Sequence, residues 1–151
     1  MLSQAEHQNR VEEICLGKVI RLSPGEIQDC QITPEQLLQL LDEGLVHPQS
    51  SYNNRPTIQD FMRFLETIEP FRQEDLDIQV VVCGHLSRGL GINECSNIQL
   101  VIESFEIKNQ SGCNIDQAVL ILPIVSQFIT QPGRTADEFK LMNNLFTAWW
   151  D

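Results

Sequence analysis

The chain has 151 residues, and 21 Asp and Glu against 10 Lys and Arg give it a formal net charge of −11. A chain of this length buries roughly 68–70% of the surface that its unfolded form exposes, which is enough for a core without disulfides or a metal. The 42% hydrophobic content excludes general disorder. The acidic excess disfavours direct binding of DNA or RNA, because that affinity depends on Lys and Arg.

The N-terminal residues predict a helix followed by two extended segments. Ser3 and Glu6 have the spacing of a capping box, so we expect a helix that begins there and runs to about Cys15. Residues 18–22 and 26–32 are predicted to be extended and to flank a proline-glycine turn. The two segments are compatible with a β-hairpin.

A second helix is predicted to begin at Pro34 and to end before Gly44. Thr33 is its expected N-cap, Gln36 completes a capping box, and a proline suits the first helical position because its N–H is not needed there. The apolar face of this helix is broad enough to require packing against a core, in preference to a cofactor. That face consists of Leu37, Leu38, Leu40 and Leu41.

A long surface loop is predicted at residues 48–56, which are polar and contain a proline near each end. We expect residues 1–151 to form a single domain. Within it, the loop would join an N-terminal subregion, residues 1–47, to a main α+β region, residues 57–151. An independent N-terminal domain is disfavoured because its 47 residues are close to the limit of about 40 below which chains seldom fold alone.

A third helix is predicted to follow the loop. Thr57 and Asp60 have capping-box spacing, and apolar residues then recur at helical intervals up to Glu69. This is the clearest helical pattern in the chain.

Two long strands are predicted in the middle of the chain. Residues 77–85 alternate so that one face is purely apolar, and residues 97–108 form the second strand. Apolar residues of the second strand fall on both faces, so we expect both faces to be covered. They are Ile98, Leu100 and Ile102 on one face and Val101, Phe105 and Ile107 on the other. The connection between the strands, residues 86–96, exceeds the usual hairpin loop of about 2–5 residues, which is typical of functional loops.

The C-terminal third leaves two assignments open. Residues 118–125 are a continuous apolar run that fits a strand or a helix, and Pro123 argues against a helix interior. For residues 135–150, Thr135 and Glu138 predict a capped helix, which we prefer. A central Asn-Asn pair instead predicts a turn between two strands.

Together the elements predict an α+β fold, in which three to four helices pack on a mostly antiparallel sheet of about four to five strands. Short strands next to hairpin-like turns favour antiparallel pairing. Regular strand-helix-strand alternation is missing, which disfavours a doubly wound parallel sheet.

Cysteine usage and the N-terminal residues predict a cytoplasmic protein. The five cysteines are an odd number without a Cys-x-x-Cys pair, so a disulfide framework is not expected. The first ten residues are polar and lack the apolar region of a signal peptide. No apolar run approaches the roughly 20 residues of a membrane helix, so we expect no membrane contact. We also expect no bound cofactor.

Cys83 and His85 are the residues that most suggest catalysis. Residues two apart on a strand share a face, and a histidine there can activate a thiol as a nucleophile. His47 and Asn53 are the candidates for a third, orienting residue. An inert, partly buried cysteine is the favoured interpretation, because neighbouring side chains on a strand lie side by side and are not aimed at each other.

The candidate zinc ligands in the sequence are Cys83, His85, Cys95 and Cys113. These residue types bind zinc, but structural zinc sites contain at least one closely spaced ligand pair of the Cys-x-x-Cys kind. The sequence therefore predicts no metal site.

Two further patterns predict structure and not chemistry. The glycines of residues 84–91 lack the Lys and Ser or Thr of a phosphate-binding loop, so we expect a flexible turn that carries Arg88. Glu103 and Glu106 lie three apart on a strand and are expected to face opposite ways, which makes them poor acid-base partners.

At least one of the two C-terminal tryptophans is expected in the core.

The sequence favours a non-enzymatic protein-binding module of the inhibitor or immunity type, which masks a basic partner with carboxylates. Its predicted contacts are Glu74, Asp75, Asp77, Arg88 and Glu94. Two alternatives stay open: a small thiol-dependent enzyme that uses Cys83 and His85, and a structural accessory subunit that uses its apolar C-terminus.

Overall fold

The computed structural model describes residues 3–18, 22–23, 25–51, 54–73, 78–88, 98–109, 115–142 and 145–150. Within these ranges the chain forms four helices and one five-stranded antiparallel sheet, which confirms the predicted α+β class. The described part contains no helix with the length and apolar character to span a bilayer.

The elements, numbered along the chain, are connected so that the sheet has the strand order β1-β2-β3-β5-β4. They are α1 (Gln4–Leu16), β1 (Ile27–Ile32), α2 (Pro34–Asp42), α3 (Ile58–Gln73), β2 (Ile78–Arg88), β3 (Ile98–Asn109), α4 (Ile115–Ile129), β4 (Glu138–Met142) and β5 (Leu145–Trp149). β1 pairs with β2, and residues 19–21 of the extended segment predicted before β1 lie outside the described residues.

Side-chain caps start three of the helices where the sequence predicts them. Ser3 accepts a backbone N–H of the first turn of α1. Thr33 and Gln36 exchange both bonds of a capping box, at 3.2 and 2.7 Å. Thr57 and Asp60 do the same at the start of α3, at 3.0 and 3.1 Å. These bonds satisfy N–H groups that have no partner within the helix.

Two helices continue through a proline, so Pro123 was a wrong argument against a helix interior, and of the two alternatives for residues 118–125 the helix is correct. α4 contains Pro123, and α3 contains Pro70 and extends four residues beyond the predicted end. Both prolines are exposed, so the lost backbone hydrogen bond lies on the solvent side of the helix. The opposite face of α4 remains buried through Ile121, Val125 and Phe128.

The C-terminal segment forms the hairpin β4–β5, so the preferred helix is wrong and the alternative of two strands is correct. Phe146, Ala148 and Trp150 are buried, whereas Trp149 between them is exposed. Burial and exposure therefore alternate with a period of two residues, which is the pattern of a strand. β5 also pairs with β3, which supplies backbone partners that a helix could not use.

The centre of the core is a group of aromatic rings from α3, α4 and the C-terminus. Phe64 and Phe128 stack with their ring centroids 4.3 Å apart, and Phe61 meets Phe128 edge-on at 5.1 Å. Trp150 is fully buried and lies 5.5 Å from Phe61. The predicted burial of at least one terminal tryptophan is thereby confirmed.

A β-bulge at Glu103 of β3 corrects the predicted faces of that strand. Cys83 of β2 pairs with Ser104, but the next residue, Gly84, pairs with Ile102, so Glu103 has no partner residue of its own. The extra residue reverses the inward-outward phase of β3. As a result the residues predicted on opposite faces lie on one buried face. They are Leu100, Ile102, Phe105 and Ile107.

Among the residues whose side chains are described, the buried ones occupy only one face of the sheet, against which the helices pack, so the prediction that both faces of β3 are covered is wrong. On β2 these are Val80, Val82 and Leu86, as predicted, while Cys83 and His85 lie half-buried on the other face. This second face, which we call the outer face, displays the polar residues described next.

Candidate functional site

A row of charged side chains crosses three strands of the outer face. His85 of β2 lies directly opposite Asp29 of β1, and its Nδ1 is 2.7 Å from the Asp29 carboxylate. The Nε2 of His85 is 2.8 Å from the carboxylate of Glu103 on β3. Glu103 reaches His85 because the bulge turns its side chain onto the outer face, and Arg55 lies 3.6 Å behind it. We call these four residues the sheet-face network.

The hydrogen bonds of the sheet-face network define the role of His85. A carboxylate oxygen accepts hydrogen bonds, and each of the two ring nitrogens of His85 faces one such oxygen. The Glu103 side of the network is shielded, with side-chain exposures of 21% for Glu103 and 11% for Arg55, whereas Asp29 is 84% exposed. Solvent therefore screens the Asp29 contact far more than the Glu103 contact.

Backbone contacts hold Glu103 and Arg55 in place. The N–H of Trp150 donates to the carbonyl of Glu103 at 2.8 Å, and the indole N–H of Trp150 donates to the carbonyl of Arg134 at 2.8 Å. Arg134 in turn donates to the carbonyl of Arg55. The C-terminus, the loop after α2 and the bulge are thus joined in one ring of contacts.

The predicted thiol site has a different geometry from that of an activated nucleophile. Cys83 and His85 share the outer face, but both ring nitrogens of His85 contact carboxylates. Burial raises the pKa of the Cys83 thiol above its usual value, and a hydrogen bond with Ser104 opposes this rise only in part. The arrangement therefore favours the protonated thiol. Cys15, Cys30 and Cys83 are free thiols.

A second feature is the groove between α2 and α3, which has a volume of about 310 Å³. Its floor is apolar and its rim is acidic, and none of the described residues that line it is basic. The floor consists of Pro34, Leu38, Met62 and Leu65, and the rim of Glu35, Glu66 and Glu69. We call it the acidic groove. Leu38 was expected to pack against the core with the other leucines of α2, but it is 42% exposed at the groove.

Comparison with protein families, curated proteins and solved structures gives no match.

Several predicted site residues lie outside the described residues. They are Asn53, Glu74, Asp75, Asp77, Glu94, Cys95 and Cys113. Among the described residues, no group of three or more His, Cys, Asp or Glu side chains is placed to hold a metal ion. His47 accepts the backbone N–H of Gln49 at 3.1 Å, a local turn contact, and is not part of the sheet-face network.

Two placements on the sheet differ from the sequence prediction. Arg88 is the last residue of β2, paired with Ile98, and is not in a flexible turn, because pairing with β3 extends β2 beyond His85. Glu103 and Glu106 lie on the same face and not on opposite faces, because the bulge moves Glu103 to the outer face. The sequence pointed to His85 but named only one of its charged partners, Glu103, as a poor acid-base partner of Glu106; Asp29 and Arg55 were missed.

Proposed function

We propose that the protein is a non-enzymatic, acidic binding module that masks a basic partner protein, in the manner of an inhibitor or immunity protein. The net charge of −11 carries this proposal, and the acidic groove is a surface that combines an apolar floor with carboxylates on its rim. A partner's basic side chains would contact the carboxylates of the rim, and its apolar side chains would be buried against the floor. Charge attraction would also raise the association rate by about 10–10³ at low salt.

The sheet-face network supports a binding role over thiol chemistry. Both ring nitrogens of His85 face carboxylates, so in this arrangement neither is directed at Cys83. The raised pKa of Cys83 lowers the fraction of thiolate, which is the nucleophilic form. Asp29, His85 and Glu103 instead bind one another across β1, β2 and β3 and stabilise the sheet.

The natural partner provides the test. Affinity capture with the full chain identifies it, and stopped-flow mixing of the purified pair measures the association rate at about 0.05 M and about 0.5 M NaCl. We expect a basic partner and a rate that falls at least about tenfold at the higher salt. The variant Glu74→Gln/Asp75→Asn/Asp77→Asn neutralises the acidic contacts predicted from the sequence and is expected to associate more slowly than the wild-type chain. An acidic partner, or a rate independent of salt and of neutralisation, would contradict the proposal.

A further inference from the structure

We infer that the acidic groove is the docking site, and that its occupant is a basic amphipathic helix of the partner protein. The inference rests on the proposed function and deepens it, because it names both the surface and the chemistry of the segment that binds there.

The shape of the acidic groove suits a helix. Along α3 it extends from Met62 to Glu69, which is two helical turns or about 10 Å. α2 borders the groove on its other side and contributes Pro34 and Leu38 to the floor. A third helix that packs between two others places apolar side chains at every third or fourth position into such a groove. Leu38, at 42% exposure, is the apolar side chain that this packing would cover.

The charge of the acidic groove selects a basic occupant. Glu35 and Glu66 are exposed on the rim, and Glu69 lies half-buried beside them. A second copy of the chain is disfavoured, because it would bring its own net charge of −11 against the same carboxylates. The cleft between α3 and α4 contains both Asp60 and Arg63, and so has no single sign of charge to select a partner.

A synthetic peptide of about 18 residues tests the chemistry of the occupant on the full chain. It carries leucines at helical spacing along one face and lysines elsewhere, and fluorescence anisotropy measures its Kd. One control peptide has the same composition in an order that removes the apolar face, and another replaces every lysine with glutamate. We expect the control without an apolar face to bind at least about tenfold more weakly and the acidic control not to bind.

Substitutions in the acidic groove test the place of binding. Leu38→Ser is expected to weaken binding of the basic peptide about tenfold, and Glu66→Lys about fivefold with a shallower salt dependence. Both side chains are exposed, and circular dichroism verifies that each variant is folded. Leu122→Ser on α4 and Glu106→Lys on β3 are the matched controls, since both residues are exposed and lie outside the groove. Each control is expected to change Kd less than about twofold.

Three outcomes would overturn the inference: equal binding of both lysine peptides, no loss of affinity in the groove variants, or an equal loss in the controls. The proposed function fails by a different result, which is association with the natural partner that does not respond to salt. A basic partner that associates in a salt-dependent way but binds Leu38→Ser and Glu66→Lys normally would refute the groove as the docking site and leave the proposed function standing.

Discussion

Substitution of Gly84 by alanine tests the bulge that positions the sheet-face network. A Cβ atom on Gly84 would lie 2.4 Å from the carbonyl oxygen of Val101 and 3.1 Å from the Cα of Ile102. Both atoms belong to the backbone of β3, so no side-chain rotation relieves the contact. The φ angle of Gly84 lies outside the left-handed region, so alanine adds no strain of that kind. The whole expected effect is therefore steric.

The size of the effect follows from the displacement that alanine requires. Ordinary van der Waals contact begins at 3.4 Å, so β2 and β3 must separate locally by about 1 Å. Overpacking of this kind costs about 1–3 kcal/mol, and each backbone hydrogen bond that stretches beside the bulge adds about 0.5–1.5 kcal/mol. We expect a loss of about 3 kcal/mol in the free energy of unfolding, which lowers Tm by roughly 6–12 °C for a chain of this length.

Urea and thermal unfolding followed by circular dichroism measure this loss. Gly133→Ala is the control, because Gly133 has a φ of +74° and no atom within 4 Å of its added Cβ. Backbone strain alone should reduce the stability of that variant by about 1–2 kcal/mol. The bulge geometry is refuted if Gly84→Ala retains wild-type stability within about 0.5 kcal/mol, or loses less than Gly133→Ala.

Three further predictions concern the sheet-face network and its surroundings. Double-mutant cycles measured by urea unfolding should give a coupling energy of about 1–2 kcal/mol for His85 with Glu103. The coupling of His85 with Asp29 should be at most about 0.5 kcal/mol. A larger coupling with Asp29 than with Glu103 would contradict the shielding described above. Trp150→Phe keeps an aromatic ring in the core but loses the indole N–H bond and part of the buried ring volume, so a drop of at least about 1–2 kcal/mol in the free energy of unfolding is expected. Unchanged stability would show that neither the bond nor the lost volume matters. Because its pKa is raised, Cys83 should react with iodoacetamide more slowly than a free cysteine at neutral pH and faster as pH rises. Rapid, selective alkylation in mass spectrometry would instead favour the thiol-dependent enzyme.

Helix starts are where the sequence was most informative. The side-chain oxygens of Ser3, Thr33 and Thr57 bond to N–H groups within the next three residues, so the whole signal is local. The faces of β2 follow from simple alternation for the same reason. Pro123 shows the limit of the rule that a proline ends a helix, because the outcome depends on whether the proline lies on the solvent-exposed side of the helix.

The sheet-face network could not be predicted in the same way. Its contacts join residues far apart in the chain, 56 positions in the case of Asp29 and His85. Glu103 reaches the outer face only because of a bulge, which reverses the phase of a strand without changing its composition. The clash that requires glycine at position 84 exists only once Val101 lies beside it.

The sequence by itself determined the α+β class, the helix starts and the acidic charge, because these depend on composition and on near neighbours in the chain. Only the tertiary structure decided that residues 138–142 and 145–149 form paired strands and that Leu38 lies exposed at the acidic groove. The pairing of β5 with β3 and the facing surfaces of α2 and α3 arise when distant segments pack together, and no local pattern encodes them.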